Sequence, residues 1–329
     1  MFPPIDHLFV PVDFSRSSRA AVELARGFVA PDSGKPPTLE LVHVLDDFPP
    51  YMREVLFPFA GMGEDEAELE HDLCARAQEA MEKTYELDTS HDESAPTPRA
   101  LVGKRDEAIA AAIASSNAQL VVMGAFGQGG AVPESIGSTA GRILRQTTRP
   151  VLLTRSLSER KPRIRKILCA IDLTPSCGEV VEWAMNLAIM TGAEVETIFV
   201  LPDPLYQDPN SILSGHIKFQ AKKVLDRERH KLEALFERTY KSLELPFSKQ
   251  DAINRRWKNR QILAGDPATV ILERADRIDA DVIAIGTRNL QSPSTTRLGR
   301  VSWTVTRSAS THLLAVPLAR EANLLEAED

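Results

Sequence analysis

The sequence predicts an α/β protein of two tandem doubly wound domains, each built on a parallel sheet. Three observations carry the prediction. The chain reads twice over at a spacing of about 160 residues, each half alternates short apolar runs with longer amphipathic ones, and some short runs are apolar at every position.

Four landmarks hold the repeat. His7-Leu8-Phe9-Val10-Pro11-Val12-Asp13-Phe14-Ser15 corresponds to Lys166-Ile167-Leu168-Cys169-Ala170-Ile171-Asp172-Leu173-Thr174, an offset of 159 residues. Ala118–Gly124 corresponds to Ala280–Gly286, Gly103 to Gly265, and Arg149-Pro150-Val151 to Thr311-His312-Leu313, each at an offset of 162. A unit of this size is a domain, not a solenoid repeat.

In the first half, strands are expected at 7–12, 39–44, 98–102, 119–124 and 150–154, and helices at 16–29, 64–87, 105–116 and 138–147. Helix 16–29 carries Ala20, Ala21, Leu24, Ala25 and Phe28, an apolar stripe at helical spacing. The second half repeats the order, with strands at 166–171, 194–200, 259–264, 281–285 and 312–316 and helices at 177–190, 215–243, 267–277 and 299–308. Leu120-Val121-Val122-Met123 and Val282-Ile283-Ala284-Ile285 are apolar throughout, as in parallel strands covered on both faces. With right-handed crossovers, this alternation gives a Rossmann-like topology.

The domain limits are placed at 1–156 and 164–319. Between them, 157–163 is a short, charged, Pro162-containing linker that keeps the domains packed together, and 320–329 is an acidic tail. Segments 46–63 and 202–214 are Pro-rich loops over the sheet rim; Phe57 and Phe59 either form a lid or pack on the following helix.

Composition excludes several classes. Lys and Arg number 39 against 46 Asp and Glu, a net charge of −7, which argues against nonspecific nucleic-acid binding. Aromatics are 6%, so the cores rest on Ala, Val, Ile and Leu. Cys74, Cys169 and Cys177 form no CxxC pair, excluding a disulfide framework and a zinc site of that kind. Cys169 is expected as inert strand packing, and Cys177 stands near a helix start, where a lowered pKa is conceivable. No signal peptide is expected at Met1–Val10, and no run reaches the roughly 18 apolar residues of a membrane span. A cytoplasmic setting is the expectation.

The chemistry is carried by Gly124-Ala125-Phe126-Gly127, nine further residues, and then Gly137-Ser138-Thr139. This loop leaves the end of a strand, where doubly wound sheets bind ligands, and enters a helix whose first N–H groups favour an anion. Glycines admit phosphate oxygens close to the main chain, and Ser138 and Thr139 add hydroxyl donors. Gly127→Val is expected to abolish binding by filling that space and disfavouring a positive φ. Opposite lies Asp13, just past Val10-Pro11-Val12. It either accepts from an adenine amino group or ribose hydroxyl, or caps the following helix, a role for which Ser15 competes. Val44, ending Leu41-Val42-His43-Val44, offers backbone groups to a base.

On these residues the chain resembles the universal stress protein family over nearly its whole length. The matching passages are Val10-Pro11-Val12-Asp13-Phe14-Ser15, Val42-His43-Val44, the Gly124, Gly127, Gly137, Ser138 spacing, and Thr139-Ala140-Gly141-Arg142 onward to Pro150. The resemblance implies a five-stranded parallel sheet per domain, of the adenine nucleotide alpha hydrolase-like kind. It also implies ATP held by Pro11, Asp13, Val44, Gly124, Gly127, Gly137, Ser138 and Thr139. Pairing of the domains about a pseudo-twofold axis, largely through the fifth strands, is implied as well, as is a stress-responsive role often without robust enzymatic activity.

The second half departs from the pattern. Asn289 replaces the second glycine and Arg300 the serine, so one nucleotide site per chain is expected, in the first domain. Arg288, Arg297 and Arg300 could bind an anion or bridge to carboxylates.

No catalytic residue is assigned. The glycine loop holds no Lys or Arg, Lys104 and Arg142 being the nearest cations in sequence, and there is no GxxxxGK[ST] loop. Glu134 could position water or a metal, though a loop glutamate is usually just solvated. The seven histidines show no HxxxH or HExxH spacing, and Ser15, Ser17 and Ser18 lack a GxSxG elbow. The expectation is an ATP-binding stress-response regulator with Mg²⁺ shielding the phosphates and little or no hydrolysis. The alternatives are a nucleotide-free interaction scaffold and a slow ATPase; further homodimerisation is left open.

Overall fold

The computed structural model describes residues 5–30, 34–46, 63–87, 96–127, 136–155, 163–172, 174, 176–202, 257–287 and 299–318, with 227, 230, 231, 233 and 234. The chain divides into two compact units, one spanning Pro4–Pro162 and the other running from Arg163 onward.

The N-terminal unit contains β1 (His7–Pro11), α1 (Arg16–Arg26), β2 (Thr38–Leu45), α2 (Gly63–Tyr85), β3 (Thr97–Val102), α3 (Arg105–Ser115), β4 (Leu120–Gly124), α4 (Ser138–Gln146) and β5 (Val151–Thr154). Its strands lie in the order β3-β2-β1-β4-β5, all parallel. The all-apolar run behaves as its composition requires: Leu120, Val121, Val122 and Met123 are at most 4% exposed, as are Leu8, Phe9 and Val10 beside them. Helix α1 covers β1, β4 and β5 with Ala21, Val22, Leu24 and Ala25. It stops at Arg26, three residues before the expected end, because Gly27 turns the chain and Phe28 folds under it, buried.

The C-terminal unit contains β6 (Lys166–Ile171), α5 (Cys177–Thr191), β7 (Glu194–Pro202), β8 (Trp257–Gly265), α6 (Pro267–Arg277), β9 (Val282–Thr287), α7 (Arg300–Ser308) and β10 (His312–Pro317). Its parallel strands follow the same order, β8-β7-β6-β9-β10. Of the helix expected at 215–243, residues 227, 230, 231, 233 and 234 are described, and these are helical. Glu196 on β7 is buried, and Arg274 of α6 grips it with two hydrogen bonds, Nε to Oε1 at 2.6 Å and Nη2 to Oε2 at 3.0 Å. The linker at 157–162, the tail, and Phe57 and Phe59 fall outside the described residues.

In each unit the strand order reverses beside the first strand, between β1 and β4 and between β6 and β9. That reversal opens a crevice at the carboxyl ends of the central strands.

Candidate functional site

In the N-terminal unit the crevice is a cavity of about 740 Å³. Five pieces of chain contribute to its wall: the ends of β1, β2 and β4, and the starts of α3 and α4. Pro11 and Asp13 line it from β1, and Val44 from β2. Gly124 and Gly127 come from β4, and Gly137, Ser138 and Thr139 from the entrance of α4. All eight residues singled out in the sequence therefore face one space.

The β1 wall is set by an unusual backbone. Phe14 has φ 61°, a left-handed conformation that costs a bulky residue about 1–3 kcal/mol. Tyr85, at the end of α2, holds it there. The Phe14 N–H donates to Tyr85 Oη at 3.2 Å, and the two rings stack at 5.9 Å. The Phe14 ring also tilts against His43 at 4.7 Å, and His43 Nδ1–H donates to the Val12 carbonyl at 2.8 Å. Tyr85 is buried and shares a hydrogen bond with Ser18 Oγ at 3.1 Å; burial pushes its phenol above the ordinary pKa.

This turn separates the roles of Asp13 and Ser15. Ser15 is the N-cap of α1, its Oγ accepting from the Ser18 N–H at 3.1 Å. Asp13 is thus not the cap. Its Oδ1 accepts from the Ser15 N–H at 3.1 Å, and its Oδ2 lies toward the glycine loop.

The three glycines of the loop do different things, and a positive φ is not among them. The expectation of a left-handed Gly127 is corrected here: the requirement is space, since a Cβ at 127 would stand 2.9 Å from Asp13 Oδ2. Gly124 lets β4 meet α1, where a Cβ would press on Ser17 Oγ at 2.6 Å and its backbone carbon at 2.9 Å. Gly137 is the N-cap of α4, extended at φ −61° and ψ 151°, and offers no side-chain cap. Its N–H donates to the Ala125 carbonyl at 2.8 Å, and its carbonyl accepts from Gly141. The first-turn N–H groups of α4 have no partner within the helix and carry the positive end of its dipole into the cavity.

The nearest cations in sequence are engaged elsewhere. Lys104 pairs with Glu107, and Arg142 donates to Asp106 at 2.8 Å, which holds the Asp106 carboxyl below the usual range. Neither is among the described lining residues, whereas Arg105 is, paired at 2.5 Å with Asp46, which also lines the cavity. Sequence reading missed Arg105, Asp46, Phe14 and His43 as parts of this wall. The signal for Arg105 lay in the repeat itself, because Lys104-Arg105 stands where the second half has Asp266-Pro267.

The C-terminal unit keeps the frame and changes its contents. Asp172 Oδ1 accepts from both the N–H and the hydroxyl of Thr174, at 3.1 and 2.6 Å. Helix α7 is entered through Gly299 at φ −59° and ψ 154°, nearly the geometry of Gly137, but its first residue is Arg300. Ser302 Oγ donates to the Gly286 carbonyl at 2.7 Å. Arg288, Asn289 and Arg297 lie outside the described residues, as does Glu134 in the first half. Cys169 and Cys177 are both buried, and burial pushes the Cys169 thiol far up. Among the described residues there is no group of three His, Cys, Asp or Glu side chains able to hold a metal, and no helix long and apolar enough to cross a membrane.

Among curated proteins there is no significant match. Among solved structures, the chain is similar to a universal stress protein from Archaeoglobus fulgidus, with 15% identity over 95% of this chain and 98% of that one and a TM-score of 0.56. It is similar also to a putative universal stress protein from Pseudomonas aeruginosa, at 16% identity over 95% and 94% of the two chains, with a TM-score of 0.57. At such identity these likenesses speak for the fold. The model of the universal stress protein family matches twice, over residues 4–155 and 163–317. Two matches that between them take in both sheets and the cavity residues settle the ancestry: the chain belongs to the universal stress protein family, as a tandem of two of its domains.

Proposed function

We propose that the N-terminal domain binds ATP and that the protein is a nucleotide-responsive regulator with little or no hydrolysis. The observation that carries this reading is the convergence of Asp13, Val44, Gly127 and the uncapped start of α4 on one cavity of about 740 Å³, within the range of small-molecule sites. The base lies against the ends of β1 and β2, where Asp13 accepts from an amino or ribose hydroxyl group and Val44 offers its backbone. The phosphates lie over Gly127, with the N–H groups and hydroxyls of Ser138 and Thr139 donating to them.

Mg²⁺ would accompany the nucleotide and shield its phosphates, a role that asks for few protein ligands. Among the described lining residues the candidate bases are engaged within the wall: Asp13 accepts from the Ser15 N–H, His43 donates to the Val12 carbonyl, and Asp46 pairs with Arg105. On this reading bound ATP acts as a signal, and product analysis tests whether it is also a substrate.

Calorimetric titration of the full chain with ATP and Mg²⁺ tests the reading. Saturable binding below millimolar supports it, and its absence favours a nucleotide-free scaffold. Prolonged incubation with product analysis separates a binder from a slow ATPase.

A further inference from the structure

Position 105 departs from a local rule that the other half of the molecule obeys. Helix α6 begins with a good cap: Asp266 Oδ1 accepts from the Thr269 N–H at 3.0 Å, and a proline follows. The equivalent helix α3 begins with Lys104-Arg105 instead. Lys104 makes no side-chain cap, and two cations stand at the positive end of the helix dipole. Asp106 and Glu107 offset part of that charge. A break in local consistency of this kind marks a functional position when a second observation points the same way.

The second observation is where the side chain goes. Arg105 is the one Lys or Arg among the described residues lining the cavity. It reaches Asp46, at the end of β2, and the two side chains are 46% and 67% exposed. An ion pair this open contributes little and is readily exchanged. The Arg142–Asp106 bond ties the second turn of α4 to the first turn of α3, so Arg105 projects from beside the helix end where phosphates are placed above.

We propose that Arg105 is the residue that reads the phosphate chain, exchanging the Asp46 carboxylate for the terminal phosphate of a bound nucleotide and so setting the preference for a triphosphate over a monophosphate. A guanidinium suits the exchange, because carboxylate and phosphate present the same paired oxygens to its fork. This inference rests on the nucleotide reading above.

The test is calorimetric titration of the full chain with ATP and with AMP, in the wild type, Arg105→Gln, Arg105→Lys, Asp46→Asn and the double variant. Arg105→Gln is expected to lower ATP affinity about tenfold and to leave AMP affinity within about twofold, with Arg105→Lys between. Asp46→Asn is expected to raise ATP affinity severalfold, and the gain to vanish in the double variant. Equal loss for both nucleotides, or none for either, overturns the role of Arg105 while leaving the nucleotide site standing. A wild type that binds neither nucleotide overturns the nucleotide reading and this inference together. Unchanged thermal midpoints exclude misfolding, and the Asp46→Asn gain cannot arise from a misfolded chain.

Discussion

A side-chain carbon at Gly127 would stand 2.9 Å from Asp13 Oδ2, so at this point of the cavity wall the carboxylate leaves no room for a side chain on the loop after β4. The contacted atom is the far end of a flexible side chain. Gly127→Ala is therefore expected to fold with a near-normal thermal midpoint and to lower ATP affinity roughly tenfold by displacing the carboxylate. Unchanged affinity in a folded variant would show that Asp13 does not hold the nucleotide.

Gly124→Ala should behave oppositely. Its Cβ would meet the backbone and Cβ of Ser17, both at 2.9 Å, and neither can swing away. Overpacking of this kind costs about 1–3 kcal/mol. Scanning calorimetry should show a lowered midpoint, and an unshifted one contradicts the packing described.

Tyr85→Phe removes the acceptor for the Phe14 N–H and the partner of Ser18. Loss of a buried partner is expected to cost about 1–3 kcal/mol and to release Phe14 from its left-handed conformation, weakening nucleotide binding as well. Phe14→Gly in the same background should recover part of both, since glycine tolerates that φ. In the wild type the raised pKa of the Tyr85 phenol carries its own sign. The neutral form is favoured in the fold, so this stabilisation is complete below the unfolded pKa of about 10 and is lost as pH rises beyond it. Denaturant midpoints at alkaline pH should fall more steeply for the wild type than for Tyr85→Phe.

Asp266→Ala tests the C-terminal domain. The carboxyl is held below its ordinary pKa first by the Thr269 N–H and then by the Thr269 hydroxyl. Losing the cap costs about 1 kcal/mol. A depressed carboxyl stabilises above its unfolded pKa, near 4, and loses that effect as pH falls. The gap between wild type and variant should therefore narrow on acidification, and a constant gap contradicts the assignment.

Glu196→Ala would leave the half-buried Arg274 guanidinium without its carboxylate and is expected to cost about 1–3 kcal/mol. A loss below about 1 kcal/mol in urea unfolding would show that the pair is solvated.

The sheet was legible because its causes are local. Leu120–Met123 and Val282–Ile285 announce doubly covered strands by composition alone, and the repeat places the rest. The cavity was legible through the spacing of Gly124, Gly127 and Gly137 after β4, although Gly124 serves the packing of β4 on α1 and Gly137 the entrance of α4. Tyr85 and Arg105 were not legible in this way. Tyr85 stands behind the wall against Phe14 and Arg105 lines it, each from an element whose own pattern says only that it is a helix. Gly127 was found for a partly mistaken reason: its backbone is ordinary, and the demand comes from Asp13, 114 residues earlier in the chain.

Gly137 and Gly299 bend into their helices within a few degrees of one another, yet Ser138 follows one and Arg300 the other. The molecule thus carries its own reference arm. Amide exchange that slows at 138–140 on adding nucleotide, while 300–302 keeps its rate, would report occupancy without any second protein. A change shared by both copies would instead report tightening of the whole chain.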